Sequence, residues 1–406
     1  MYFRALSRLV PDPDAFRQAP PRVPMVWRMP AAPLTGLLSL NDVDRLLGDG
    51  VLRQGMVRVV QDGQIVPPRR YTYADRPIES AFAEVVRAEA IGELLRQGAT
   101  VVFDALYRTW RPVGDVCRRL GHEAGIPVRA GAYLTPAGSQ GFAHHYDPVS
   151  VLIVQTEGSK RWQVHEPVVP DPSVRRPWRP EALDDTDWDR LRNGVPTLET
   201  TLRAGDVLWI PRGWVHNAFA LDEPSLHITF DFGLHTPQSI AENLVRRLDA
   251  SAEMRRELPW GLAQRPELLA EVVDEVIGQL TGALEAVDRT AFVEELTKTM
   301  RRTFPEPVRA PVGSGLMGQV GPDTPLVTVT EAVSGVDRLP DGGARLHLAD
   351  DVIALDASQT RAFIPRWEAD CALPWRALDL MPELDEGGSV RLVSKLLRAG
   401  VVRPHT

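Results

Sequence analysis

Two segments of the sequence contain side chains that can bind one metal ion together. His145 and Asp147 lie two residues apart at the start of the apolar run in FAHHYDPVSVLIV, and His216 lies 71 residues after His145 in GDVLWIPRGWVHNAF. In an extended chain, residues i and i+2 point to the same face, so His145 and Asp147 can approach one ion. Two histidines and one carboxylate form the facial triad that suits non-haem Fe(II) and leaves three adjacent positions open. The spacing therefore predicts an iron centre at which a 2-oxo acid and dioxygen can bind.

The region around these residues has the pattern of antiparallel β-structure. Short runs rich in β-branched residues alternate with turn residues from Gly98 to Phe232, which is typical of a sandwich or barrel. The stretch 180–193 interrupts this pattern and indicates an insertion or a helix between two strands. His216 is predicted to begin a strand, and further strands are predicted at 100–103, 128–134, 150–155, 161–165, 207–210 and 226–232.

The flanking regions are helical or mixed. Residues 1–94 are predicted to form an N-terminal cap, in which a helix over 40–47 begins at Asn41 and Asp42. After Pro266, apolar residues recur at intervals of three and four as far as Val287, which predicts a helix. Its apolar stripe either packs on the rest of the chain or forms a self-association surface.

The C-terminal part of the sequence follows a linker-like stretch at 307–323 that is rich in Pro and Gly. Ser389 is predicted to cap the last helix, Gly400 to end it, and Val401 and Val402 to form a short strand. This order of elements resembles a winged helix.

Composition excludes several classes of protein. No apolar run approaches the roughly 18 residues that span a bilayer, and the N-terminus lacks the apolar stretch of a signal peptide. The net charge of −8 argues against broad binding of nucleic acid through its phosphates. Cys117 and Cys371 are too few for a disulfide framework or a thiolate metal site. A reducing cytoplasm is therefore the expected location, and no membrane partner is expected.

The segments FAHHYDPVSVLIVQTEGSKRW and AGDVLWIPRGWVHNAF resemble the JmjC-related cupin-4 family, the ribosomal oxygenases, which hydroxylate residues of ribosomal proteins. The resemblance is close over residues 95–235. It implies a mixed α+β fold whose catalytic core at 95–235 is a double-stranded β-helix of the cupin or jelly-roll type. It also implies a helical dimerisation region at 236–306 and a winged-helix-like C-terminal domain at 321–406.

The same resemblance implies roles for individual residues. His145, Asp147 and His216 would be the iron ligands, and Lys160, 15 positions after His145, would pair with the C5 carboxylate of 2-oxoglutarate. A dicarboxylic cosubstrate anchored on iron at one end needs a cation at the other, which is an independent physical reason for Lys160. The alternative for Lys160 is a surface charge on a strand.

Tyr133 is implied to donate a hydrogen bond near the cosubstrate and His227 to line the same pocket, although a histidine merely packed in the core explains His227 nearly as well. The resemblance assigns no role to Asp231.

The expected activity is that of an Fe(II)-, 2-oxoglutarate- and O2-dependent hydroxylase acting on a protein or peptide. Its expected target is an Arg or His side chain of a ribosomal protein, and the expected assembly is a homodimer. Two alternatives remain open, a tailoring hydroxylase of a biosynthetic peptide and a non-catalytic cupin-type binding or scaffold protein.

Overall fold

The structure, a computed structural model, divides into two compact units. The first contains the residues before 234 together with those after 303, and the second lies between them. Cys371 and most of the linker predicted at 307–323 lie outside the described part of the chain. The described residues are 5–73, 84–302, 321–329, 332–333, 335–348, 351–368 and 374–405.

Two antiparallel sheets form the centre of the first unit. The larger sheet has eight strands in the order β1-β9-β6-β11-β5-β4-β2-β3, and the smaller has three in the order β10-β7-β8. The bounds of the larger sheet are β1 Met25–Arg28, β2 Val57–Gln61, β3 Gln64–Ile65, β4 Thr100–Phe103, β5 Val128–Thr135, β6 Ser150–Glu157, β9 Asp206–Ile210 and β11 Ser225–Phe232. Those of the smaller sheet are β7 Ser159–His165, β8 Leu198–Arg203 and β10 Val215–Ala220.

Side chains alternate between the two faces of each strand, so the buried residues of the larger sheet belong to two separate cores. On β11, Leu226, Ile228 and Phe230 join a large core on the outer face of the larger sheet. On β9, Leu208 and Ile210 instead join a second core that also contains Trp162 of the smaller sheet. Because successive side chains of a strand point to opposite faces, the intervening residues of β11 face the space between the sheets.

Helices cover the outer face of the larger sheet. Their amphipathic sequences supply Val43, Leu46, Ile91, Leu94 and Leu120 to the large core. The helices up to residue 233 are α1 Pro13–Gln18, α2 Ala32–Thr35, α3 Leu40–Gly48, α4 Ala88–Arg96, α5 Leu106–Thr109, α6 Arg111–Ala124 and α7 Asp185–Asn193.

The N-terminal segment contributes strands as well as helices to this unit. Strand β1 pairs with β9, and β2 pairs with β4, so residues before 94 extend the larger sheet. The start predicted for α3 at Asn41 and Asp42 is wrong. Ser39 is the N-cap, and it forms a capping box with Asp42, which satisfies two backbone N–H groups at the helix start.

The second unit is helical, with α8 Pro237–Arg246, α9 Pro266–Glu285 and α10 Arg289–Arg302. Helix α9 begins at Pro266. Proline suits the first helical position because a backbone N–H there would have no partner within the helix. Much of its apolar stripe is exposed: the exposed fractions are 42% at Leu269, 47% at Val273, 54% at Ile277 and 52% at Leu284.

The C-terminal part of the first unit has its own core. It contains α11 Ala357–Glu368, α12 Glu386–Arg398 and the strands β12 Leu326–Thr328, β13 Gly335–Arg338, β14 Ala344–His347, β15 Val352–Leu355 and β16 Val402–Pro404. The prediction that Ser389 caps the last helix is wrong. Asp385 accepts a hydrogen bond from the Gly388 N–H at the start of α12, while Ser389 is fully buried within the helix.

None of the helices that the structure describes combines the length and apolar character needed to cross a membrane.

Candidate metal centre

Backbone hydrogen bonds hold the three predicted metal ligands together. His145 lies in the loop before β6 and His216 near the start of β10, and each donates its backbone N–H to the carbonyl oxygen of the other at 3.1 and 2.8 Å. The carbonyl of Asp147 accepts a hydrogen bond from Gly213 N–H at 3.1 Å. Gly213 has φ +86°, which favours glycine, and a Cβ there would lie 2.8 Å from Pro172 Cδ. His145 and Asp147 thus belong to a loop tied to β10, and only the isolated bridge at His145 is β-structure.

The side chains of these residues meet on one side of that pairing. One ligand atom from each of His145, Asp147 and His216 lies within 4.8 Å of the others. His216 Nε2 is 3.7 Å from Asp147 Oδ2, and the two imidazole centroids are 4.4 Å apart. This cluster is the only such group of three among the residues that the structure describes.

The hydrogen bonds of the two imidazoles suit metal binding. His145 Nδ1 lies 2.8 Å from the Ala143 carbonyl and His216 Nδ1 lies 3.0 Å from the Trp214 carbonyl, so each Nδ1–H donates to backbone. This leaves the Nε2 lone pair available as the ligand. Burial, and then the neighbouring His145, lower the pKa of His216 to about 4, so its ring is neutral at pH 7. Two imidazoles and one carboxylate fit a divalent metal of the iron type.

Lys160 lines the cavity that also contains the three residues of the metal cluster. The residue is 2% exposed, and its Nζ donates a hydrogen bond to Thr135 Oγ1 at 2.9 Å. Thr100 Oγ1 donates to Thr135 Oγ1 as well, at 3.0 Å. Burial lowers the pKa of Lys160 to about 7, and the described residues provide no carboxylate partner for it. A buried ammonium without a counter-ion is suited to an incoming anion.

An aromatic wall, formed by Tyr133, His227 and Trp162, lines the same cavity as Lys160 and the metal cluster. The Tyr133 and His227 rings are stacked with centroids 4.8 Å apart and an interplanar angle of 2°, and Trp162 meets His227 edge-on at 5.3 Å. Burial raises the pKa of Tyr133 and lowers that of His227, so both are neutral at pH 7. His227 Nδ1 has no hydrogen-bond partner among the described residues, although the side chain is only 2% exposed.

All six residues singled out from the sequence line one cavity of about 450 Å³, measured with its open mouth. The cavity brings together the metal cluster, the cation and the aromatic wall. The rest of its lining consists of Gly141, Phe142, Val151, Ile153, Trp162, Asn217, Ala218 and Thr229.

Two features of the site carried no sequence signal. Thr135, which accepts a hydrogen bond from Lys160, lies at the end of β5, and Lys160 is on β7 of the other sheet. Arg58 on β2 forms a two-pronged ion pair with Asp104 and lies 5.7 Å from the centroid of the Phe142 ring. Phe142 in turn lies 5.4 Å from the His145 ring.

Comparison with known proteins places this site in a family. Residues 109–240 match the family model of the JmjC domain. This part of the chain is a JmjC domain. The match contains the metal cluster, Lys160, Tyr133 and His227, so the resemblance seen in the sequence is confirmed.

Relatives of the JmjC domain include ribosomal oxygenases. Ribosomal oxygenase 2 of Bos taurus is 32% identical over 222 residues, which are 51% of this chain and 44% of that protein. The bifunctional lysine-specific demethylase and histidyl-hydroxylase NO66 of Drosophila simulans is 32% identical over 195 residues, 46% of this chain and 21% of that protein. The chain therefore spans less than half the length of these relatives.

Solved structures resemble the chain over almost its whole length. The X-ray structure of Escherichia coli ycfD has a TM-score of 0.52 at 14% identity and covers 97% of this chain and 98% of that one. A structure of YcfD in complex with cobalt and 2-oxoglutarate has a TM-score of 0.51 at the same identity and coverage. At this identity the likeness concerns the fold. With the JmjC domain, it confirms a mixed fold with a double-stranded β-helix core.

Proposed function

We propose that this chain is an Fe(II)- and 2-oxoglutarate-dependent oxygenase that hydroxylates a side chain of a protein or peptide, with Arg or His of a ribosomal protein as the target. The observation that carries the proposal is that three side chains that could hold a metal ion line one cavity with a buried lysine, which has no carboxylate partner among the described residues. The relatives named ribosomal oxygenase support the class of target.

In this proposal each residue has a separate task. His145, Asp147 and His216 hold the metal through two imidazole Nε2 atoms and one carboxylate oxygen. Lys160 binds the distal carboxylate of 2-oxoglutarate, and Thr135 orients its ammonium. Tyr133 and His227 form the neutral wall along which the cosubstrate lies. Bound iron supplies the redox chemistry that converts 2-oxoglutarate and O2 to succinate and CO2 while one oxygen atom enters the target.

Two measurements on the purified full chain test the proposal. The protein should bind about one Fe(II) per chain, and succinate formation should require 2-oxoglutarate, Fe(II) and O2 together. Ribosomal proteins from cells with and without the gene should differ by about 16 Da, one oxygen atom, at a target residue. A chain that binds no Fe(II) and forms no succinate would instead favour the cupin-type binding or scaffold protein. Hydroxylation of a biosynthetic peptide with unchanged ribosomal proteins would favour the tailoring enzyme.

The proposal includes a location and an assembly. We assign the protein to the cytoplasm, without a membrane or nucleic-acid partner, and we assign the region 236–306 to homodimerisation. The exposed apolar residues on α9 support the dimer, because a stripe of this kind is stable when another surface covers it. We also propose that residues 321–406 form a winged-helix-like domain. The order of α12 followed by the short strand β16 supports this.

Ile277→Glu should convert the dimer to a monomer, because the new carboxylate would be buried without a partner in the interface. Gly282→Glu is the matched control, since it adds the same charge to another face of α9, at an exposed position where a side chain meets no neighbouring atom, and should leave the dimer intact. Sedimentation velocity at micromolar concentration measures both. A wild-type protein that sediments as a monomer would show that the exposed stripe of α9 is not a dimer interface.

A further inference from the structure

Partly exposed residues mark where the cavity opens to solvent. Among the described residues that line it, four are partly exposed and the others are buried. The four are Tyr133, Phe142, His145 and Asp147, and we call them the entrance. Lys160 lines the same cavity and is only 2% exposed, so a diacid that reaches it from solvent passes the entrance. The entrance therefore controls access both to the metal cluster and to the buried cation.

Phe142 links the two sides of the entrance. Its ring centroid lies 5.4 Å from that of His145 and 6.2 Å from that of Tyr133, which it meets edge-on at an interplanar angle of 72°. The backbone at Phe142 belongs to neither a helix nor a strand, so no ladder of backbone hydrogen bonds fixes its place. The position of the ring therefore depends on what its side chain contacts.

Arg58 contacts the Phe142 ring from outside the cavity lining. Its guanidinium lies over the ring, 5.7 Å from the centroid, which is within the range of a cation–π interaction. Arg58 Nε and Nη2 donate to the two carboxylate oxygens of Asp104, and this two-pronged pair fixes the plane of the guanidinium. Both side chains of the pair are partly exposed, so the pair contributes little to folding stability. Support of the Phe142 ring accounts for this arrangement better than stability does.

We propose that Phe142 covers bound 2-oxoglutarate at the entrance, and that Arg58 is a positioning residue that, with Asp104, holds the ring there. This inference rests on the proposed oxygenase and adds the residues that retain its cosubstrate. A covering ring keeps water from the pair between Lys160 and the distal carboxylate, and that pair is stronger when water is excluded. Since Arg58 acts on the cavity through Phe142, its effect should vanish when the aromatic ring is absent.

The test measures how fast 2-oxoglutarate leaves the full-length protein. The protein is loaded with Mn(II) in place of Fe(II) and with radiolabelled 2-oxoglutarate, and release is followed after a chase with unlabelled 2-oxoglutarate. Phe142→Ala should raise the dissociation rate by about tenfold, because the covering ring is removed. Arg58→Gln should raise it by about threefold, as expected for the loss of one cation–π contact at a partly exposed site. Arg58→Lys keeps a cation beside the ring and should restore most of the slow release.

A double variant separates positioning from general stability. Phe142→Leu keeps an apolar side chain without the aromatic ring, so adding Arg58→Gln to it should not speed release further. Arg28→Gln is the matched control: it breaks the ion pair of Arg28 with Asp206 between two other strands of the larger sheet and should leave release unchanged.

Three results would overturn the proposal: unchanged release in Phe142→Ala, a full additional effect of Arg58→Gln in the Phe142→Leu protein, or equal acceleration by Arg28→Gln. The two proposals fail separately. A wild-type protein that binds Mn(II) but no 2-oxoglutarate counts against the oxygenase, whereas the comparison of release rates concerns Phe142 and Arg58.

Discussion

Asp147→Ala is expected to reduce succinate formation by well over 100-fold while the protein stays folded. Loss of groups that only support metal ligands changes metal affinity or activity by about 10- to 100-fold, and Asp147 is proposed as a ligand itself. Without its carboxylate, the cluster retains only the two imidazole donors, and the positive charge of Fe(II) has no balancing anion in the cluster. His145→Ala and His216→Ala should have effects of the same order.

The fold should survive Asp147→Ala because the loop is held by its backbone. The Asp147 carbonyl, which accepts from Gly213 N–H, and the paired backbones of His145 and His216 are unchanged by the substitution. Asp222→Ala, in the exposed turn before β11, is the control for loss of an aspartate. Iron content, succinate formation and the thermal unfolding midpoint should be measured together. If Asp147→Ala regains full activity when Fe(II) is added in excess, Asp147 is not a required ligand.

The sequence predicted the metal cluster because its signal is local. His145 and Asp147 are separated by one residue, and the strand pattern around His216 is strong enough to show that all three lie on β-structure or beside it. The residue pattern did not predict that the backbones of His145 and His216 pair directly with each other. Their backbone hydrogen bonds depend on how the loop before β6 folds over β10, which residue spacing does not specify.

The features that the sequence did not predict depend on distant pairings. Thr135 lies next to Lys160 because the two sheets that contain β5 and β7 face each other. Arg58 reaches Asp104 because β2 pairs with β4. The predicted starts of two helices were wrong for another reason. Ser39, Asn41 and Asp42 can all cap a helix, and Ser389 has a suitable side chain, but packing decides which residue remains at the end of the helix and which is buried within it.

The second large effect is expected for Lys160→Ala, which should weaken the binding of 2-oxoglutarate. If its ammonium pairs with the distal carboxylate of 2-oxoglutarate, Lys160→Ala leaves that carboxylate covered and unpaired, a loss of about 2 to 5 kcal/mol. Since about 1.4 kcal/mol is a factor of ten, the apparent affinity for 2-oxoglutarate should fall by tenfold or much more. Iron content should be nearly unchanged, because Lys160 is not one of the three side chains of the metal cluster. An unchanged 2-oxoglutarate titration would remove the main argument for this cosubstrate.

The pH dependence of 2-oxoglutarate binding separates a charge effect from a packing effect at Lys160. Burial lowers the pKa of Lys160 to about 7 in the empty cavity, and a bound carboxylate must raise it, because the anion favours the ammonium. Below pH 7 the lysine is protonated before and after binding, so affinity should be flat. Above pH 7 binding takes up one proton, and affinity should fall by up to about tenfold per pH unit until the pKa of the complex is reached. Lys160→Arg should retain partial affinity without this dependence, because guanidinium stays protonated throughout. Calorimetric titration from pH 6 to 9 in buffers of different ionisation enthalpy measures both affinity and proton uptake. A wild-type affinity that is flat over this range, with no proton uptake, would show that Lys160 is already charged in the empty cavity or does not touch the cosubstrate.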